Sequence, residues 1–186
     1  MMPKAPLRRT LAGLGLVVLL AAGPAAAQDV SSGLAGFSAG SNTPILIEAE
    51  ELEVRENGKV ATFRGGVEAH QDQTTLTTHV LKVYYSGEAG SGKQQITRIV
   101  AEGDVFVTKQ EQTVQGDRGD FDMLTETVVL TGNVILTQGE TVITGDCLKI
   151  DLKNKFSRID AAACSSGAEK GRVRGLFVPG TQAPSQ

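Results

Sequence analysis

The sequence has no tryptophan, and only two tyrosines, two histidines and two cysteines. Each shortage excludes a class of chemistry. With Tyr84 and Tyr85 as the only phenolic rings, a groove that stacks sugars on aromatic platforms is poorly supplied. His70 and His79 sit in strand-like stretches without metal-ligand spacing, and no G-x-S-x-G elbow occurs. Ser165 and Ser166 have no base nearby in the sequence. Asp117, Asp120 and Asp122 lack the ligand-dense loop of a calcium site and read as solvated strand and corner residues. No catalytic residue, metal or cofactor is expected.

Long apolar runs are missing too. The longest, Leu11 to Ala22, follows Lys4, Arg8 and Arg9 and precedes Pro24 and the triplet Ala25, Ala26, Ala27. That is the layout of a secretory signal peptide, residues 1–27, cleaved after Ala27. The run is short for a span of roughly 20 residues, which leaves an uncleaved anchor as the weaker alternative. Cleavage removes three of the 18 Lys and Arg and none of the 21 Asp and Glu, so the formal charge moves from −3 to −6. An acidic exported chain does not suit nucleic acid, which needs clustered cations. Export would also bring Cys147 and Cys164 into an oxidising compartment. There they form a disulfide if folding brings their Cα atoms within reach, and otherwise stay free thiols.

Residues 28–43 are Ser, Gly and Ala with little periodicity and read as a flexible N-terminal arm; 180–186 read as a disordered tail. Between them, 44–179 alternate Val, Ile, Leu and Thr with Gly, Asp and Asn at intervals, and no helical stripe emerges. The domain is expected to be all-β.

It also repeats. Placing Gly65, Gly103 and Gly132 in register aligns GGVEAHQDQTTLTTHVLKVY, GDVFVTKQEQTVQGDRGDFD and GNVILTQGETVITGDCLKID without gaps. Valine follows two residues after each glycine (Val67, Val105, Val134), Leu76, Val114 and Ile143 eleven after, and Val83, Phe121 and Ile150 eighteen after. A half copy, ILIEAEELEV, places Ile47, Leu52 and Val54 on the same positions, and SRIDA at 157–161 echoes TRIVA at 97–101. The glycine opening each unit, and the Gly116-Asp117 and Gly145-Asp146 pairs within, suit corners or bulges where the apolar parity shifts. Stacked edge to edge, such units give an elongated twisted sheet sandwich or open roll with one aliphatic face.

The stretch GEAGSGKQ at 87–94 imitates a nucleotide-binding loop. Such a loop must join a strand to a helix and carry Ser or Thr after the lysine; here Gln94 stands there and QITRIVAEGDVFV alternates as a strand. The stretch is expected to be a hairpin insertion.

The aliphatic face admits two readings that periodicity cannot separate, a filled core or a groove for hydrocarbon chains, whose burial is worth about 0.8 kcal/mol per methylene.

PILIEAEELEV, FRGGVEAHQ, AEGDVFVTKQ, LTGNVILTQGETVITGDCLKID and GRVRGLFVP resemble the OstA-like family of lipopolysaccharide-transport domains, to which LptA belongs, from about Pro44 to Pro179. The resemblance implies an open twisted β-jelly roll built from repeated strand units, with lipid A acyl chains on its inner face. It implies a periplasmic bridge for lipopolysaccharide between an LptC-like inner-membrane protein and an LptD-like outer-membrane translocon, with head-to-tail self-association. The positions it places toward the acyl chains are Ile45, Ile47, Phe63, Val67, Val105, Val107, Leu130, Val134, Leu136, Ile143, Leu148 and Ile150. The joining edges are Ile45, Leu46 and Ile47 at one end and Val173, Leu176, Phe177 and Val178 at the other. The two cysteines and the 87–94 stretch have no counterpart in that pattern. A membrane-anchored LptC-like carrier, or an assembly module without its own lipid track, is the alternative. A secreted polysaccharide-cleaving β-helix would need clustered carboxylates beside aromatic platforms, and none is found.

Overall fold

The computed structural model describes residues 43–87, 94–161, 164 and 171–177. The expected signal peptide, the arm up to residue 42, the tail and Val178 lie outside them.

Among the described residues ten strands follow in chain order: β1 (Leu46–Glu48), β2 (Glu51–Arg55), β3 (Val60–Gln71), β4 (Thr74–Ser86), β5 (Gln95–Lys109), β6 (Gln112–Asp122), β7 (Thr127–Gln138), β8 (Thr141–Asp151), β9 (Phe156–Asp160) and β10 (Arg174–Leu176). A single 3-10 turn at Glu56–Gly58 is the only helical element among the described residues. The strands make one antiparallel sheet in the order β1-β3-β4-β5-β6-β7-β8-β10, with β2 also on β3 and β9 also on β8. The described residues are nearly all-β, as the alternation predicts.

The repeat explains the shape. In β3, β5 and β7 a pair of consecutive left-handed residues sits mid-strand: Gly65 and Gly66 (φ 78° and 52°), Gly103 and Asp104 (86° and 47°), Gly132 and Asn133 (77° and 47°). Gly, Asp and Asn adopt this conformation at the lowest steric cost. At the same level the ladder slips, between Arg64 and Val67, Thr77 and Val80, Glu102 and Val105, Gln115 and Arg118, and Thr131 and Val134. The slips line up across the sheet as a crease. It divides the sheet into leaf A, which carries the hairpins at Gln71–Thr74, Lys109–Gln112 and Gln138–Thr141, and leaf B on the other side.

Here the structure refines the sequence reading. The glycine that opens each aligned copy does not start a strand; it bends one of 12 to 15 residues in its middle. Two left-handed residues turn the backbone while the ladder resumes beyond them, so the strand is kinked without being ended. On β8, Ile143 precedes the crease while Leu148 and Ile150 follow it, and all three reach one cluster despite their change of parity.

That cluster is the core. It takes Val67, Ala69, Leu76, Val105, Val107, Val114, Val134 and Leu136 from leaf A, and Leu81, Ile99, Ala101, Phe121, Val128, Leu130, Leu148 and Ile150 from leaf B, all at 2% exposure or less. One face of a flat sheet cannot be covered so completely without another layer. No helix is available among the described residues, so the layer is the sheet's own other leaf, folded over at sheet-packing distance of about 10 Å. The roll stays open, because among the described residues β1 and β2 make no pairing with β8, β9 or β10. At each end the chain crosses the crease between two short strands: β1 and β2 both lie on β3, β9 and β10 both on β8.

Candidate functional site

The inner face is one aliphatic surface running the length of the sheet. Of the twelve positions that the resemblance implies on it, Val67, Val105, Val107, Leu130, Val134, Leu136, Leu148 and Ile150 are fully buried, and Ile45, Ile47, Phe63 and Ile143 pack partly buried against them. All twelve therefore meet in one cluster. Ile99, Ala101 and Val128 belong to the same face and were missed. The signal for them lay four and two residues before each repeat glycine, where Ile99 and Ala101 precede Gly103 as Val128 and Leu130 precede Gly132.

Cover runs out at both ends. Leu52 and Val54 on β2 pair with Phe63 and Ala61, and so continue the inward face, yet they are 56% and 51% exposed. They stand on the repeat positions of Leu148 and Ile150, which are at 0%. At the other end Gly175 pairs with Ile143, which puts Val173 and Phe177 on the inward parity of leaf A at 45% and 67% exposure. The same kind of side chain is thus buried mid-roll and bare at its margins, because among the described residues only the margins lack a next strand level. Beside β2 a pocket of about 410 Å³, lined in part by Val54, Ala61, Val83, Tyr85 and Ile96, opens on the core. Burial pushes the Tyr85 phenol up, with Glu56 adding to the effect.

The residues expected at the two joining edges fall on or beside β1 and β10, except Val178, which lies outside the described residues. Leu46 and Ile47 are in β1 against His70 and Ala69 of β3, and Ile45 precedes them. Leu176 is in β10 against Val142 of β8, flanked by Val173 and Phe177. β1 and β10 occupy opposite ends of the strand order.

The outside of leaf B is polar and internally paired. Lys82 donates to Glu102 at 2.7 Å and Arg118 donates to the other oxygen of the same carboxylate. These contacts, Lys82 foremost, hold the Glu102 carboxyl below the usual range. Arg98 donates to Asp120 through Nε at 2.7 Å, and Asp122 accepts the N–H groups of Leu124 and Thr125, each at 2.9 Å. The turn amide of Thr125 is the largest cause of the lowered Asp122 pKa. Asp117 sits at the crease, accepting from Asn133 Nδ2 at 3.1 Å. All three aspartates thus serve strands and turns, and no cluster of metal-binding side chains exists among the described residues. His79 faces Asp104 at 3.6 Å, and His70 faces Thr75 and Glu68.

The nucleotide-loop imitation sits in a hairpin: Ser86 pairs with Gln95 as the last rung between β4 and β5. Residues 88–93 lie outside the described set, and the element that follows is a strand. The sulfurs of Cys147 and Cys164 lie in bonding contact with Cα atoms 5.5 Å apart, a separation that a disulfide spans. No helix among the described residues is long and apolar enough to cross a membrane.

Comparison with known proteins finds a family, a relative and solved structures that this chain resembles. Residues 46–156 match the model of the family described as LptA/(LptD N-terminal domain) LPS transport protein. A protein of Rhizobium meliloti (strain 1021), itself described as uncharacterized, is 33% identical over 155 residues, covering 81% of this chain and 83% of its own. Among solved structures, LptH, described as the LptA homologous periplasmic component of the lipopolysaccharide transport device from Pseudomonas aeruginosa, superimposes with a TM-score of 0.62 at 17% identity. The match covers 73% of this chain and 96% of LptH.

Proposed function

Because the chain belongs to the LptA/LptD N-terminal domain family of lipopolysaccharide transport proteins, we propose that it is a periplasmic bridge. In this reading it shields lipid A acyl chains along its inner face and joins like domains through its two ends. The observation that carries the proposal is the aliphatic inner face, continuous from β2 to β10, covered in the middle and bare at both margins.

Transfer of a single chain of about a dozen carbons into water costs on the order of 10 kcal/mol, so a lipid with several chains needs continuous cover along its route. A roll with unpaired margins supplies that cover and also a way in, since leaves that are not hydrogen-bonded to each other at the rim can part without breaking a ladder. The acyl chains would replace leaf-to-leaf contacts with equivalent hydrocarbon contacts. The acidic chain gains little from the phosphates of an anionic glycolipid, which leaves the sugar head in water.

The ends support the second half of the reading. A strand edge presents unpaired N–H and C=O groups, and Leu52 and Val54 at one margin and Val173 and Phe177 at the other offer apolar surface of the same inward face. Strand addition between unlike ends would extend both the ladder and the inner face. The partners would be a second copy, an LptC-like protein on the inner-membrane side and an LptD-like translocon on the outer-membrane side. Export by a cleaved signal peptide at 1–27 would deliver the chain to that compartment.

The test is photo-crosslinking to lipopolysaccharide with a probe at Val134, Leu136 or Val54 and a control at outward-facing Glu68. Adducts at the inward positions alone are expected. Their absence at all three, or equal labelling of Glu68, would leave a filled core with no lipid track.

A further inference from the structure

The C-terminal edge of the sheet is held in an unusual way. β8 is covered on one flank by two separate strands: β9 on Cys147–Asp151 and β10 on Val142–Thr144. Between them the chain leaves Asp160, passes Cys164 and returns at Gly171. β10 is not anchored by its own side chains, whereas β9 keeps Ile159 packed against the core. All three residues of β10 are exposed, and Phe156 of β9 is exposed as well.

What fixes the crossing is Cys147. It pairs with Thr131 and with Asp160, stands at the crease next to Gly145 and Asp146, and is buried although it alternates with the inward Leu148 and Ile150. Its sulfur therefore points to the outside, where the sulfur of Cys164 meets it. The crossing converges on this point. Gly171 passes close to the Asp146 carboxylate and the Ala161 carbonyl, while Ile159 and Val173 close over Gly145 from the two sides.

We infer that a Cys147–Cys164 disulfide is a staple that keeps β9 and β10 together as the terminal level of the sheet, and that its redox state decides which strand the C-terminal end presents. Closed, the end presents β10 with Val173 and Phe177. Open, the last level frays and β8 itself becomes the edge, with the flank of Val142–Thr144 free to accept a strand. Closing the staple takes one proton from each thiol and passes two electrons to a donor disulfide, which leaves as a dithiol. The occupant of the edge, β1 of a second copy, rests on the bridge reading above; the staple itself does not.

The experiment uses the full chain exported into an oxidising compartment. Alkylation and mass measurement first count free thiols: none is expected, and two would overturn the proposal. Amide exchange is then compared for the oxidised protein, the same protein after dithiothreitol, and Cys164→Ser, a half-buried position beyond β9 whose change spares the core. Protection at the β8 amides that face β9 and β10 should fall about threefold or more in the two open forms, while β5 and β6 stay as they were. Equal exchange in all three forms overturns the staple. Crosslinking from Leu46 of one copy should reach Phe177 of another in the closed form and Val142 in the open form. If β8 loosens as expected but no end-to-end species forms in either state, the staple stands and the bridge reading fails.

Discussion

The carboxylate of Asp117 on β6 lies over the α-carbon of Gly132 on β7, so that a β-carbon built on that glycine would fall 2.7 Å from Asp117 Cγ. The arrangement repeats along the crease. Glu50 stands over Gly65 and His79 over Gly103 in the same manner, and Asp146 over Gly171. A polar side chain fills the notch that each glycine leaves beside it, and this is how the sheet bends sharply without a void at the bend.

Gly132→Ala should therefore destabilise the fold by about 2 to 4 kcal/mol, combining a left-handed backbone (φ 77°) with a collision. Gly139→Ala, at φ 55° but with nothing within 4 Å of the new carbon, should cost only about 1 kcal/mol. Urea unfolding of the two variants checks the difference; equal costs would mean that the notch is not filled in solution.

Leu148→Ala and Leu52→Ala remove the same side chain from equivalent repeat positions with opposite cover. The first should lose about 2 to 5 kcal/mol of stability, as fully buried leucines do. The second should change stability by less than about 0.5 kcal/mol, in line with its 56% exposure, and should instead reduce lipid crosslinking near β2 and end-to-end association. A large stability loss from Leu52→Ala would show that the margin is part of the core.

Ile47→Pro on β1 and Leu176→Pro on β10 remove a ladder donor from each edge. Each should abolish head-to-tail species in size-exclusion chromatography and crosslinking while the monomer keeps its β circular-dichroism spectrum. Association that survived both changes would put the joint elsewhere.

Acid should loosen the outside of leaf B first. The Glu102 carboxyl is held low by Lys82 and then Arg118, so its contribution is fully present above the unfolded-state value and is lost as pH falls through the lower folded-state value. The urea midpoint should drop between about pH 5 and pH 3, and Glu102→Gln should show a shallower drop over that window while starting lower at pH 7. Parallel profiles for the two proteins would mean that the contact is fully screened by water.

Much of this was legible in the chain. Alternation of Val and Thr gave the strands, and the repeat of Gly-x-Val gave the inward positions, because a period of two leaves little freedom about which face a residue occupies. Three matters were not legible. The length of the strand on either side of each bulge was one: a glycine before an apolar run suits a corner or bulge where parity shifts, but only the fold shows that the strand runs on unbroken through it. Exposure was the second. Leu52 and Leu148 have the same local pattern, and Leu52 is bare because no strand among the described residues pairs beyond β2. Nor does any local feature of Cys147 announce its neighbour, because the approach of Cys164 depends on a crossing that returns to the same strand.

The strand order has a metrical consequence. With the paired short strands at each end counted as single levels, the sheet is eight levels deep, so its two free ends lie roughly 34 Å apart at about 4.8 Å per level. The domain therefore works as a ruler whose graduations are strands. Its reach can change only by whole hairpins, through duplication or loss of one aligned copy, each altering the length by about 10 Å. A span built from such domains is set by counting, and any gap that it crosses must be matched in those steps.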